Sequence, residues 1–438
     1  MSQPPKAPAK GHTKNKSSIT RSSRPRSSTK GPLDVDDDPL SSPGPAAVPS
    51  PGALSPNPNQ PRRTPSSSRQ APSSPVPQVG EVRPKDFSFL LKPEIYHPLT
   101  PLNVPLAFRN SSKQPDPKGP PEDLLAKGHF RAAAIAAVQE LTGSGTGNGV
   151  DPHDAKRIFD LLYTRLACLT LIDATPLAAQ EVKALEDLNS VRTYVDATTG
   201  EHLVPWELRV LNVRLQALGF GDPRRAVMSY HDLAREARER VAKAVAQHDY
   251  SASELWKSRL QDLGIKVAGA LIDMDDLAGA AHHLRTLRNR GDGRLELSRA
   301  LLWLHLGDTE SARECAQHCV QDAETSEKII LALCDMAEAE HEKALARWTE
   351  LADLNDEMVS VNKAVCLLYL GRIGEARDVL EALVESGLSS HTLLFNLSTM
   401  YELCTEKNRP LKLKLTERVA AMDESPAGWE KTNADFKI

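Results

Sequence analysis

Residues 300–331 read ALLWLHLGDTESARECAQHCVQDAETSEKIIL, and residues 332–363 read ALCDMAEAEHEKALARWTELADLNDEMVSVNK. Aligned on their first alanines, the two stretches repeat a pattern that extends to both sides. Ala280, Ala312, Ala344 and Ala376 recur every 32 residues, and Ala268, Ala300, Ala332 and Ala364 precede them by a constant interval. Asp275, Gly307, Ala339 and Gly371 stand five before the second alanine column; Leu287, Cys319, Leu351 and Leu383 stand seven after it. Large residues keep the same register. Leu271, Trp303 and Leu367 share a column in which Asp335 is the exception; Leu284, Trp348 and Leu380 share another in which Ala316 is. A fixed period of this length is the mark of a helical-pair array. The alanine columns predict where paired helices approach closely, because a bulky side chain there would drive their axes apart. The small residue between them predicts the turn that ends the first helix. Trp303 and Trp348 are expected to fill the space between one pair and the next.

These columns resemble the tetratricopeptide repeat, of which 32 residues is a slightly short form. The resemblance implies an all-α, right-handed helical-pair solenoid, with a strict core over about 262–387 and a full array over 203–425. A looser first unit is read from Trp206–Leu218, a Gly219–Pro223 turn and Arg224–Ala246. A last unit is read from Leu393–Cys404 and Leu411–Ala421, with Pro410 opening its second helix. Three further helices, Glu122–Leu141, Pro152–Leu171 and Pro176–Leu188, are expected to begin the array over 122–190, and 426–438 reads as a C-terminal tail.

The N-terminal part differs in kind. Of the 32 prolines, 26 lie within the first 121 residues, and no Phe, Trp or Tyr precedes Phe87. Up to Asp86 there are 13 Lys and Arg against 6 Asp and Glu, whereas the remainder carries 41 against 52. Residues 1–83 therefore read as a long disordered basic arm, since they cannot bury enough apolar surface to offset the entropy of ordering. Ser42-Pro43, Ser50-Pro51, Ser55-Pro56, Thr64-Pro65 and Ser74-Pro75 suit proline-directed kinases, each phosphate adding roughly −2 of charge. Over 84–110 large apolar residues alternate with prolines, which predicts extended backbone. Such a segment either packs on the chain's own helices or docks on a partner. Phe87, Phe89, Leu90, Ile95, Tyr96 and His97 are the candidate docking residues.

Several classes are excluded or disfavoured. Apolar runs such as Ile329–Cys334 fall far short of the roughly 20 residues that span a bilayer. The opening residues have no apolar core of a secretory signal, so a cytosolic chain with reduced cysteines is expected. The acidic body argues against nucleic acid. Cys315 and Cys319, with His282, His283 and His305 nearby in sequence, are the best metal candidates, but Cys319 shares a column with leucines, and Cys334 and Cys366 share one with Ala270 and Leu302. Cysteine here behaves as a small apolar residue. No nucleophile signature appears, and Gly143–Gly149 lacks the Lys-Ser/Thr of a phosphate loop. No metal, cofactor or catalytic residue is expected. A co-chaperone carboxylate clamp is incomplete, with Asn362 on one clamp position but Ile329 and Leu333 where Lys and Asn are needed.

Three segments together resemble one family: Phe89–Leu99, Val204–Arg209 and Leu394–Leu403. The family is that of subunit 12 of the transport protein particle (TRAPP), a vesicle-tethering complex. The resemblance covers roughly Asp86 to Ala421. It implies a non-catalytic scaffold subunit acting in ER-to-Golgi and Golgi transport and in autophagy. Its expected partners are other TRAPP subunits, subunits 8 and 11 among them, and indirectly a Rab-family GTPase. Membrane association would be peripheral, at Golgi or ER–Golgi intermediate membranes, through the complex only. The alternative is a free-standing tetratricopeptide adaptor such as a co-chaperone.

Overall fold

The computed structural model describes residues 84–438, apart from 117–118, 146, 148, 288–292, 319–322 and 352–355. The arm over 1–83 and Cys319 lie outside the described residues. Within them the chain is all helical, and the one β-type pairing is an isolated bridge between Val195 and His202. The helices are α1 (Leu106–Arg109), α2 (Pro121–Ala126), α3 (Phe130–Thr142), α4 (Ala155–Leu171), α5 (Thr175–Glu181), α6 (Val191–Tyr194), α7 (Trp206–Phe220), α8 (Pro223–Ala246) and α9 (Tyr250–Asp273). They continue as α10 (Leu277–Thr286), α11 (Gly293–His305), α12 (Thr309–Gln317), α13 (Ala323–Ala337), α14 (His341–Glu350), α15 (Glu357–Tyr369), α16 (Ile373–Glu385), α17 (His391–Cys404) and α18 (Asn408–Ala421). From α7 to α10 and again from α11 to α18 each helix packs against the next, with α9 and α11, and α11 and α13, also in direct contact.

One local device makes the hairpins. Gly128, Asp173, Gly221, His248, Asp275, Gly307, Ala339 and Gly371 all take a positive φ, between 58° and 80°. The next residue in each case returns its N–H to the carbonyl five positions back, as in Asp308 to Trp303 at 2.9 Å and Glu340 to Asp335 at 2.9 Å. This is the Schellman closure, which satisfies carbonyls that a helix end leaves orphaned and turns the chain back on itself. Five residues after each left-handed residue stands a buried small one: Ala133, Ala178, Ala226, Ser253, Ala280, Ala312, Ala344 or Ala376. Asp222, Asp249, Asp276 and Asp308, just past the turn, cap the following helix by accepting from its first-turn N–H groups.

The repeat columns now have a physical meaning. Ala268, Ala280, Ala300, Ala312, Ala332, Ala344, Ala364 and Ala376 are all completely buried where helices cross. Trp303 packs among Ala268, Ala316 and Cys334. Trp348 packs among Ile329, Leu351, Val359 and Cys366. Each indole therefore joins one helix pair to the next. The exceptional Asp335 is also buried, and it is paired from two sides by Arg313 at 2.8 Å and Arg347 at 2.6 Å.

Some expected boundaries move. The helix read as Glu122–Leu141 is broken between α2 and α3, because Gly128 ends α2 in a left-handed turn. A Cβ on Gly128 would lie 2.1 Å from the Ser425 carbonyl, so a side chain cannot be placed there. The segment Pro176–Leu188 tightens after α5 into a 3-10 turn at Val182–Leu185. Proline does not open α18, which begins at Asn408. A proline two residues inside a helix start removes only an N–H that would lack a partner anyway.

Candidate interaction sites

The proline-punctuated segment is extended only in part, as at Lys92 and Tyr96. Its prolines and short apolar run fold into 3-10 turns at Ser88–Leu91 and Pro93–Ile95. These turns bring Phe87, Leu90 and Tyr96 inward, so of the two destinations the sequence leaves open, the chain's own helices and a partner, these three take the first. All three are buried in a core shared with α4, α5 and α7. Phe87 meets Phe159 edge-on at 4.9 Å and stacks near Tyr194 at 6.1 Å. The Tyr96 hydroxyl donates to the Leu90 carbonyl at 2.7 Å, and burial raises its pKa. Phe89 and Ile95 pack at the rim of the same core. The outward face consists of Lys92, Pro93, Glu94, His97 and Pro98.

A buried ion pair fixes this segment. Arg165 on α4 makes a two-pronged contact with Glu181 on α5, at 2.9 Å and 2.6 Å, with both side chains buried. The pair then grips the His97 peptide from both sides. The His97 N–H donates to Glu181 at 2.8 Å, and its carbonyl accepts from Arg165 at 2.7 Å. Fork-to-fork geometry with the spare hydrogen-bonding capacity used is what makes a buried pair tolerable. Sequence reading passed over Arg165 and Glu181. The available signal was a charged residue inside the apolar stripe of a helix, beside Leu161, Leu162, Leu166 and Leu169.

The residues read as a tail are a strap. Trp429 and Phe436 are buried against Phe108 of α1, at 5.3 Å and 6.2 Å between ring centres. The strap also pairs its backbone with the N-terminal helices, Trp429 N–H to the Gly128 carbonyl at 3.1 Å and Asn433 N–H to that of Asn103 at 2.7 Å. Arg131 meets Glu430 at 2.6 Å and His129 meets Glu424 at 2.9 Å. Lys412, on the helix expected to cap the array, is buried beneath the strap and held by Glu402 and the Lys437 carbonyl. Two aromatics in an otherwise polar stretch need burial, which is why this stretch docks.

No group of three or more His, Cys, Asp or Glu side chains converges to hold a metal ion among the described residues. Burial pushes the thiols of Cys334 and Cys366 up to about 11 and that of Cys168 up to about 12, so all three are neutral packing groups. The Asn362 amide donates to the Met358 carbonyl of its own helix at 2.9 Å, which takes it out of any clamp. Among the described residues no helix is long and apolar enough to cross a membrane.

These features define an all-helical repeat protein of the tetratricopeptide type. The chain is similar to Trafficking protein particle complex subunit 12 of Mus musculus, 25% identical over 340 residues that cover 69% of this chain and 42% of that one. It is likewise 25% identical over 342 residues to the Homo sapiens protein of the same name, covering 69% and 46%. The chain thus spans less than half the length of these relatives. No family model matches it. Among solved structures, a tetratricopeptide repeat protein from Parabacteroides merdae is 13% identical with a TM-score of 0.34, over 59% of this chain and 98% of that one. The tetratricopeptide domain of P58(IPK) is 13% identical with a TM-score of 0.17, over 68% and 95%. Those superpositions carry no argument, and the repeat assignment stands on the turns described above.

Proposed function

We propose that this protein is a scaffold subunit of a TRAPP-type tethering complex, and that it works by holding other subunits and not by catalysis. The observation that carries the reading is the similarity to subunit 12 across 69% of the chain. A repeat array whose buried charges Arg165, Glu181, Asp335 and Lys412 are tied into its own packing supports it. By this reading its partners are other TRAPP subunits, subunits 8 and 11 among them, and its effect on a Rab-family GTPase is indirect. It acts in ER-to-Golgi and Golgi transport and in autophagy, from the cytoplasm, reaching membranes only through the complex. The outward rim of the turn segment, Lys92 to Glu94 with Pro98, is the part of the family-like motif left exposed to a neighbour.

Affinity purification of the tagged full chain followed by native mass spectrometry tests this. Recovery of TRAPP subunits in fixed ratio is the expected result. Recovery of a chaperone with no TRAPP subunit would instead establish the free-standing adaptor, a reading that Asn362's engagement with its own helix disfavours.

A further inference from the structure

Between α1 and α18, outside the central helix pairs, large apolar side chains stay on the surface. Leu106 of α1, Leu413 of α18 and Ile438 of the strap are 63%, 45% and 43% exposed, and all three border one cavity of 530 Å³. Val104, Pro105 and Ala107 continue its apolar lining. Three segments far apart in sequence thus bring apolar groups to one exposed place. Contiguous exposed patches of this kind mark contact surfaces.

The charged residues on its border are Arg109, Arg409 and Glu417. All three are exposed, and none has an ion-pair partner among the described residues. Nearby charges are taken: Arg418 pairs with Glu385, Lys412 with Glu402 and Lys113 with Asp423. Lys414 is exposed but does not border the cavity. Arg409, Leu413 and Glu417 are spaced by four, so they form one stripe along α18. The stripe reads cation, apolar, acid, with the two charges about 12 Å apart and equally far from the leucine. That order is its own complement. When two such stripes lie antiparallel about a two-fold axis at Leu413, each Arg409 stands opposite the other chain's Glu417, and the leucines meet at the axis. A stripe of one sign would instead repel its own copy and call for a partner of different sequence.

We propose that this patch is a self-association surface, covered by a second copy of the chain. The two copies pack α18 against α18 about an axis at Leu413. Leu106, Leu413 and Ile438 of each cover those of the other, two Arg409–Glu417 pairs close the ends, and Arg109 stays solvated at the rim. In a two-fold contact every interaction is made twice, which doubles the effect of a small patch. The contact is small, so the dimer exchanges with monomer. The proposal does not depend on which complex the chain joins.

Sedimentation equilibrium of the purified full chain, from about 1 to 100 µM, tests this. The expected mass rises with concentration and levels at two chains. Leu413→Ser removes the axial contact from both copies, while Arg409→Glu or Glu417→Arg sets like charges against each other. Each should weaken association by about tenfold or more. An equimolar mixture of the Arg409→Glu and Glu417→Arg variants should associate again as a heterodimer, and the chain carrying both changes should self-associate like wild type. Mixing does not repair a misfolded variant, so this rescue separates lost pairing from lost folding. A monomer at every concentration overturns the proposal. So does a dimer that both single reversals leave intact, since its contact lies elsewhere, and so does growth beyond two chains, since a two-fold contact closes on itself. A chain that stays monomeric and recovers TRAPP subunits only while Leu413 is intact would give the patch to another subunit, overturning the proposal and leaving the complex assignment standing.

Discussion

Ala339 and Gly307 occupy the same place in successive repeats, and exchanging them tests the turn that builds the array. Ala339 has φ 61° and Gly307 φ 80°. A Cβ in the left-handed region crowds the following carbonyl and costs about 1–2 kcal/mol. Glycine removes that cost but loses about 0.5–1 kcal/mol of additional backbone entropy on folding. Ala339→Gly is therefore expected to stabilise the protein by about 0.5–1 kcal/mol. A Cβ added at Gly307 would meet nothing within 4 Å, so Gly307→Ala carries the backbone strain alone. It should destabilise by a similar amount, about 0.5–1 kcal/mol. The turns lie in different repeats with no shared partner, so the double variant should fall near wild type. Urea denaturation followed by far-UV circular dichroism on the four proteins reads these differences as midpoint shifts at constant slope. A destabilised Ala339→Gly together with a neutral Gly307→Ala would refute the left-handed turn and the register built on it.

Three other outcomes are expected. Trp348→Ala removes a fully buried indole between repeats and should cost about 3–5 kcal/mol; an unchanged melting curve would place that residue elsewhere. Arg165→Ala leaves Glu181 charged and buried, costing about 3–5 kcal/mol, and limited proteolysis should then cut within residues 84–99 before the helices; protection equal to wild type would separate the segment from the ion pair. Burial would raise the Asp335 pKa, but hydrogen bonds from Arg313 and Arg347 override it and hold the carboxyl below its usual range. A depressed folded-state pKa gives stability that is present above the ordinary carboxylate range near pH 4 and lost as pH falls below it. Asp335→Asn should flatten that acid limb of the urea midpoint against pH, and a parallel curve would exclude the carboxylate as its source.

How much was legible depended on distance along the chain. The alanine columns from Ala268 to Ala376 are visible because the period holds at 32. The same turn, with the same buried small residue, occurs at Gly128, Asp173, Gly221 and His248, where changing helix lengths break the period and hide the pattern. The need of Phe87, Leu90 and Tyr96 for burial was plain in sequence. Their destination was not, because Phe159, Arg165 and Glu181 lie on helices that only the fold brings near. Phe108 and Phe436 are a starker case, meeting across nearly the whole array.

The strap changes how this array should come apart. In an open stack, stability is a sum of nearest-neighbour terms and the outermost unit frays first. Here the first and last helices are each other's neighbours through Gly128, Trp429 and Phe108, so no unit is outermost. Melting should be a single concerted event, and adding or deleting one helix pair would carry the two fastening surfaces out of reach. The number of repeats is then a constraint of closure, where most such proteins can vary it freely.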